Sequence, residues 1–141
     1  MAKCIDTSLW IPYLVPEPLQ SEARSLITPL LLSGEYLVAP GFAWAEVGSV
    51  LRKKVRLGLI TAAQAAGFYD DFCQMPINYL DSDRLHTKTW QLAETFDLAT
   101  LYDAAFLAVA DLESAEFWTA DQALVNTLNP CPTYVHLLTH P

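Results

Sequence analysis

Four carboxylates, Asp6, Glu46, Asp103 and Asp121, fall where apolar, strand-like runs hand over to helices. Asp6 follows "AKCI", and Asp121 follows "EFWT" with only Ala120 between. Glu46 lies a turn or two into the helix after the run "EYLVAP", and Asp103 opens the helix that leads into "EFWT". Carboxylates gathered in one cleft repel one another, and protons or cations must relieve that repulsion. Oxygen-only ligands suit Mg²⁺ or Mn²⁺, which keep several waters and take a few carboxylates plus substrate phosphate. Such a site can turn water onto a phosphodiester. Each acid also has a plainer use. Asp6, Asp103 and Asp121 are good helix caps, and Glu46 could be a solvated helix residue.

The joint reading requires elements that bring the four together. Strands are expected at "AKCID", "EYLVAP", "INYL", "AEFWTA" and "TYVHLL". Between them lie helical segments "TSLWIPYLV", "LQSEARSLITPLLLSG", "FAWAEVGSVLRKKVRLG", "TAAQAAGFYDDFCQ", "DSDRLHTKTWQLAETFD", "LYDAAFLAVADLES" and "DQALVNTL". Gly34 is placed to stop the second helix, which Pro29 could kink, and Thr61 with Gln64 forms a capping box. Leu85, Trp90, Leu92, Ala93 and Phe96 make an apolar helix face, while "LYDAAFLAVADLES" is apolar nearly all round and belongs at the centre. Strands alternating with helices imply an α/β fold, a parallel sheet of four or five strands covered on both faces. Ligands in such folds gather beyond the carboxyl ends of the strands, where Asp6, Glu46 and Asp121 are expected.

The 141 residues are enough for one domain over 1–141, with no repeat or linker to divide it. A hydrophobic share of 52% implies a packed core rather than disorder. Sixteen acids against eight bases give a formal charge of −8. That balance argues against a protein that coats nucleic acid with a broad basic surface. It leaves room for an enzyme whose acids surround metal ions. Cys4, Cys73 and Cys131 show no paired spacing, which fits a reducing cytoplasm better than a disulfide framework or zinc site. Asp6 interrupts any signal-peptide core, and no apolar run approaches the roughly 20 residues of a membrane helix. A soluble cytoplasmic domain is expected.

The runs "CIDTSLW", "PGFAWAEV", "LYDAAFLAVA" and "WTADQAL" resemble, in order and spacing, the four motifs of the PIN-domain ribonucleases. The resemblance covers essentially the whole chain, and among PIN domains this one looks most like the VapC-type toxins of type II toxin–antitoxin pairs. It implies a three-layer α/β/α domain acting as a Mg²⁺- or Mn²⁺-dependent endoribonuclease. The family's acids map onto Asp6, Glu46, Asp103 and Asp121. Asp6 and Asp103 would be the principal metal ligands, with Asp121 and Glu46 completing the site or positioning water. Thr119 matches the family's small hydroxyl residue before the last acid, and Ser8 would support the ligands. Where some members carry a further acid beside the last one, this chain has Gln122 and Asn126. The resemblance also implies a small antitoxin whose basic tail covers the site, and a homodimer.

"LRKKVRLG" gathers half of all the bases on the helix that carries Glu46. They could complement the helix dipole or hold phosphates beside the acids, and helical spacing sets Arg52 and Arg56 on one side. His86, His136 and His140 show no ligand spacing and read as surface or boundary residues. Trp10, Trp44, Trp90 and Trp118 sit in apolar segments and read as core, with Trp10 and Trp44 also suited to a dimer or partner surface. Two other functions share this fold class. A receiver domain needs paired acids after the first strand and a late lysine, and this chain has neither. A non-catalytic PIN-like binding module would have no need of all four acids.

Overall fold

The computed structural model describes residues 1–140; Pro141, the end of the expected domain, lies outside them. Five strands form one parallel sheet: β1 (Lys3–Ile5), β2 (Leu37–Pro40), β3 (Ile77–Leu80), β4 (Glu116–Thr119) and β5 (Val135–Leu137). Their order across the sheet is β3-β2-β1-β4-β5. The chain therefore builds outward from β1 in one direction, then crosses back to build from β4 in the other. The point of reversal lies between β1 and β4, where the connecting helices diverge and leave a crevice at the strands' carboxyl ends.

Alternation along the strands separates two cores. Cys4 pairs with Val38 on one side and Phe117 on the other, a row on one face of the sheet. Ile5, Leu37 and Trp118 belong to the opposite face. Against that second face pack α1 (Thr7–Leu14), α2 (Gln20–Ser33), α3 (Ala43–Arg56) and α4 (Ala62–Cys73). Against the first pack α5 (Asp83–Phe96), α6 (Leu101–Leu112) and α7 (Gln122–Thr127). The result is the three-layer α/β/α arrangement. Every residue of α6 from Ala104 to Ala110 is buried, and four of these seven are alanine, so the helix lies close against the sheet. No helix among the described residues is long and apolar enough to cross a membrane.

Local signals set most boundaries. Gly34, with φ 70°, closes α2 in the left-handed conformation that glycine adopts without strain. Thr61 and Gln64 form the capping box at the start of α4. Pro29 stays inside α2 without dividing it, and Pro12 likewise lies within α1.

Two tryptophans correct the sequence reading. Trp44 and Trp90 are 48% and 58% exposed, not core residues. In α5 the buried stripe runs through Leu85, Thr89 and Ala93; Thr89 takes an inward place because its hydroxyl bonds the Leu85 carbonyl at 2.7 Å. Trp90, one residue on, is turned roughly 100° away. In α3 the stripe is Ala43, Val47 and Leu51, and Trp44 is displaced by the same step. Trp10 is core, set edge-on to Tyr13 and Phe72, which removes it from any partner surface.

Candidate active site

Asp6 leaves the end of β1 at the reversal point, its backbone N–H bonding the Trp118 carbonyl of neighbouring β4 at 3.1 Å. It caps α1: one carboxylate oxygen accepts the Ser8 N–H at 3.1 Å and the Ser8 hydroxyl. The other accepts the hydroxyl of Thr119, the last residue of β4, at 2.6 Å. Thr119 is fully buried, and its oxygen also accepts the Asp121 N–H at 3.0 Å. Ser8 accepts the Ala120 N–H at 2.8 Å. These bonds staple the turn after β4 to the turn after β1. Asp121 then caps α7, accepting the Leu124 N–H at 3.0 Å.

Asp121 is thus both a helix cap and a wall of a cleft. Asp6, Glu46, Asp103 and Asp121 all line one open depression of about 400 Å³, together with Thr7, Ser8, Pro12, Glu17 and Val50. Glu46 arrives from the first turn of α3 and is held by the Thr7 hydroxyl. Asp103 arrives from the first turn of α6. Thus acids from four segments, separated by as many as 115 positions in the chain, share one wall-to-wall site.

Burial pushes the Asp6 carboxyl up to about 7; bonds from Ser8 and Thr119 oppose the rise, and the charges of Asp103 and Glu46 add to it. Glu46 is also raised, chiefly by burial and then by Asp103, against the Thr7 bond. Asp103 is raised by burial and by Asp121. Charge thus passes from acid to acid: Asp121 presses Asp103, and Asp103 presses Glu46 and Asp6, toward the neutral form.

An all-oxygen donor set with mutual repulsion fits a hard divalent cation. No three His, Cys, Asp or Glu side chains among the described residues stand close enough to enclose an ion. The reason is local. Asp6 is tied to Ser8 and Thr119, Glu46 to Thr7, and Asp121 to its own helix. The chemistry suits a cation, and the acids are held around the space rather than closed upon it.

The sequence matches the PIN domain family over residues 3–127. The chain belongs to the PIN domain family. No curated protein matches it. Among solved structures this PIN domain is similar to PAE2754 from Pyrobaculum aerophilum, with 21% identity and a TM-score of 0.64. The likeness covers 90% of this chain and 87% of that one, and at such identity it speaks for the fold alone. PIN domains are typically nucleases that use divalent metal ions, so membership supports a hydrolase acting on nucleic acid.

The structure brings together Asp6, Ser8, Glu46, Asp103, Thr119 and Asp121 as the sequence reading grouped them. It does not bring Arg52 and Arg56 into the cleft. They line a separate groove between α3 and α4. Two cleft residues had gone unnoticed in the sequence. Thr7 could have been read from "DTS", where both hydroxyls follow the acid. Glu17 had no local signal: it reaches the cleft on the α1–α2 connection and is held there by an ion pair with Lys54.

Proposed function

We propose that this PIN domain is a Mg²⁺- or Mn²⁺-dependent endoribonuclease and the toxin of a type II toxin–antitoxin pair. The observation that carries the catalytic reading is the meeting of four acids from four segments in one cleft at the sheet's reversal point. Asp6, Asp103 and Asp121 would hold the ion. When bound, it supplies charge neutralisation for the phosphodiester and a more acidic water.

The chain's own groups prepare that site. Ser8 and Thr119 fix both oxygens of Asp6, so the first ligand is oriented before anything binds. Thr7 holds one oxygen of Glu46 and leaves the other to accept the proton of the attacking water. Burial raises Glu46 above the ordinary carboxylate range, which makes its carboxylate a stronger base toward a water proton. The scissile phosphate then lies over Asp103, with Arg52 and Arg56 meeting phosphates farther along the strand.

The toxin part rests on charge and on the resemblance. A chain at −8 with a carboxylate-lined cleft attracts a basic segment, whose arginine can bind these acids bidentately. A small antitoxin with a basic tail is that partner, and the toxin acts as a cytoplasmic homodimer.

Purified protein should cut single-stranded RNA with Mg²⁺ or Mn²⁺ and stop in EDTA. Undiminished cleavage in EDTA would sink the metal mechanism. Co-expression with the product of an adjacent small gene should give a complex in which cleavage is blocked. A tight complex that still cuts RNA would remove the toxin reading and leave the nuclease.

A further inference from the structure

A larger depression, about 750 Å³, runs between α3 and α4. Its floor is made of small residues where the two helices approach closely: a Cβ on Gly48 would stand 2.9 Å from Cε1 of Tyr69. Trp44 stands in the first turn of α3, the turn that also carries Glu46, and is half exposed. Arg52, Lys53 and Arg56 line the same groove, and none of them makes an ion pair among the described residues. The adjacent Lys54, by contrast, is neutralised by Glu17. Three of the eight bases in a chain of net charge −8 therefore stand unpaired around one apolar trough.

The groove and the acid cleft share helix α3. Glu46 and Val50 face the cleft. Ser49 and Lys53, three residues beyond each, face the groove. Residues three apart are surface neighbours on a helix, so a single ridge separates the two depressions.

We propose that the α3–α4 groove binds the single-stranded RNA flanking the cleaved bond, with Trp44 stacking on a base and Arg52, Lys53 and Arg56 meeting phosphates. The proposal rests on the nuclease reading above and adds a place and a stacking residue to it. Single-strand sites combine cations that follow the backbone with aromatic rings that take the bases, and bases present apolar faces to an apolar trough. An acidic amphipathic helix would also suit an apolar floor with a basic rim. Adjacency to the acid cleft across one ridge, and an exposed indole in the turn that carries Glu46, favour the nucleic acid.

The test is binding of a roughly ten-nucleotide single-stranded RNA at low salt, with EDTA present so that nothing is cut. Trp44→Ala should weaken binding about tenfold. The RNA should quench tryptophan fluorescence in the wild type and in Trp90→Phe, and much less in Trp44→Ala. The double variant Arg52→Gln/Arg56→Gln should flatten the plot of log affinity against log salt by about 0.7 per lost contact. Wild-type affinity and an unchanged salt slope in these variants, with melting temperatures intact, would overturn the proposal. So would variants that keep RNA but lose a co-expressed protein partner, which would assign the groove to protein. Wild type that binds through Trp44 yet cuts RNA with no metal present or added leaves the groove standing and removes the metal reading alone. Wild type that cuts RNA while the groove variants bind undiminished removes the groove alone.

Discussion

On one side of α3, Glu46 and Val50 face a cleft whose carboxylates are buried or half-buried and repel one another. On the other, Trp44, Arg52 and Arg56 face a groove whose cations make no ion pair among the described residues and whose tryptophan is half exposed. The contrast shows how one helix can serve chemistry and grip at once. Catalytic groups must be held against their preference for water, so Asp6, Glu46 and Asp121 each have a bonded neighbour. Groups that bind a mobile strand gain by staying solvated until it arrives. Changes in the cleft should therefore alter both reaction and stability, and changes in the groove should alter binding while leaving the fold nearly untouched.

The sharpest break is at the acids. Asp6→Asn and Asp103→Asn should each lower RNA cleavage a hundredfold or more, at roughly the scale of a lost general base or ligand. Circular dichroism should report an unchanged fold. Cleavage within a few-fold of wild type in both variants would erase the distinction between the two sides.

Next in size is a stability effect whose sign depends on pH. The Asp6 carboxyl lies near 7 in the folded protein against an ordinary value of 3.8. The folded state therefore keeps a proton that the unfolded chain has released, and stability falls as pH rises from about 4 to about 7. Asp6→Asn removes that slope. Without metal, its unfolding free energy should match wild type below pH 4 and exceed it above pH 7, by on the order of 4 kcal/mol at most. Millimolar Mg²⁺ should raise the wild-type melting temperature and raise that of Asp103→Asn less. A variant advantage that is the same at pH 4 and pH 8 would mean the acid's charge is not the cause.

Thr119 tests the tethering itself. Thr119→Val keeps the shape but leaves an Asp6 oxygen and the Asp121 N–H without their partner. It should cost about 1–3 kcal/mol in denaturant unfolding, and Thr119→Ser should restore most of it.

The smallest effect belongs to the groove. Arg52→Gln/Arg56→Gln should change unfolding stability by only about 0.5 kcal/mol, the residue of a helix-dipole contribution at the end of α3. A larger loss would show that these arginines hold the fold rather than wait for a ligand.

What the sequence determined by itself is local. The strand-forming runs "KCI" and "EFWT", the Gly34 stop, the Thr61–Gln64 box and the apolar circumference of α6 follow from the period of the backbone and from hydrogen bonds a few residues long. Those signals placed the strands, and with them the acids that follow β1 and β4. The tertiary structure decided everything that depends on which faces meet. It chose Thr89 over Trp90 for the interior because a satisfied hydroxyl fitted beneath the turn, and it left Trp44 at the rim of a groove. It carried Glu17 to the cleft and turned Arg52 and Arg56 away from it, although all three lie near cleft residues in the chain. Above all, it crossed the chain back between β1 and β4, so that Thr119 could donate to Asp6 across 113 positions. A helix or strand answers to its neighbours within a turn; a site assembled from four segments exists only once the sheet has set its strand order.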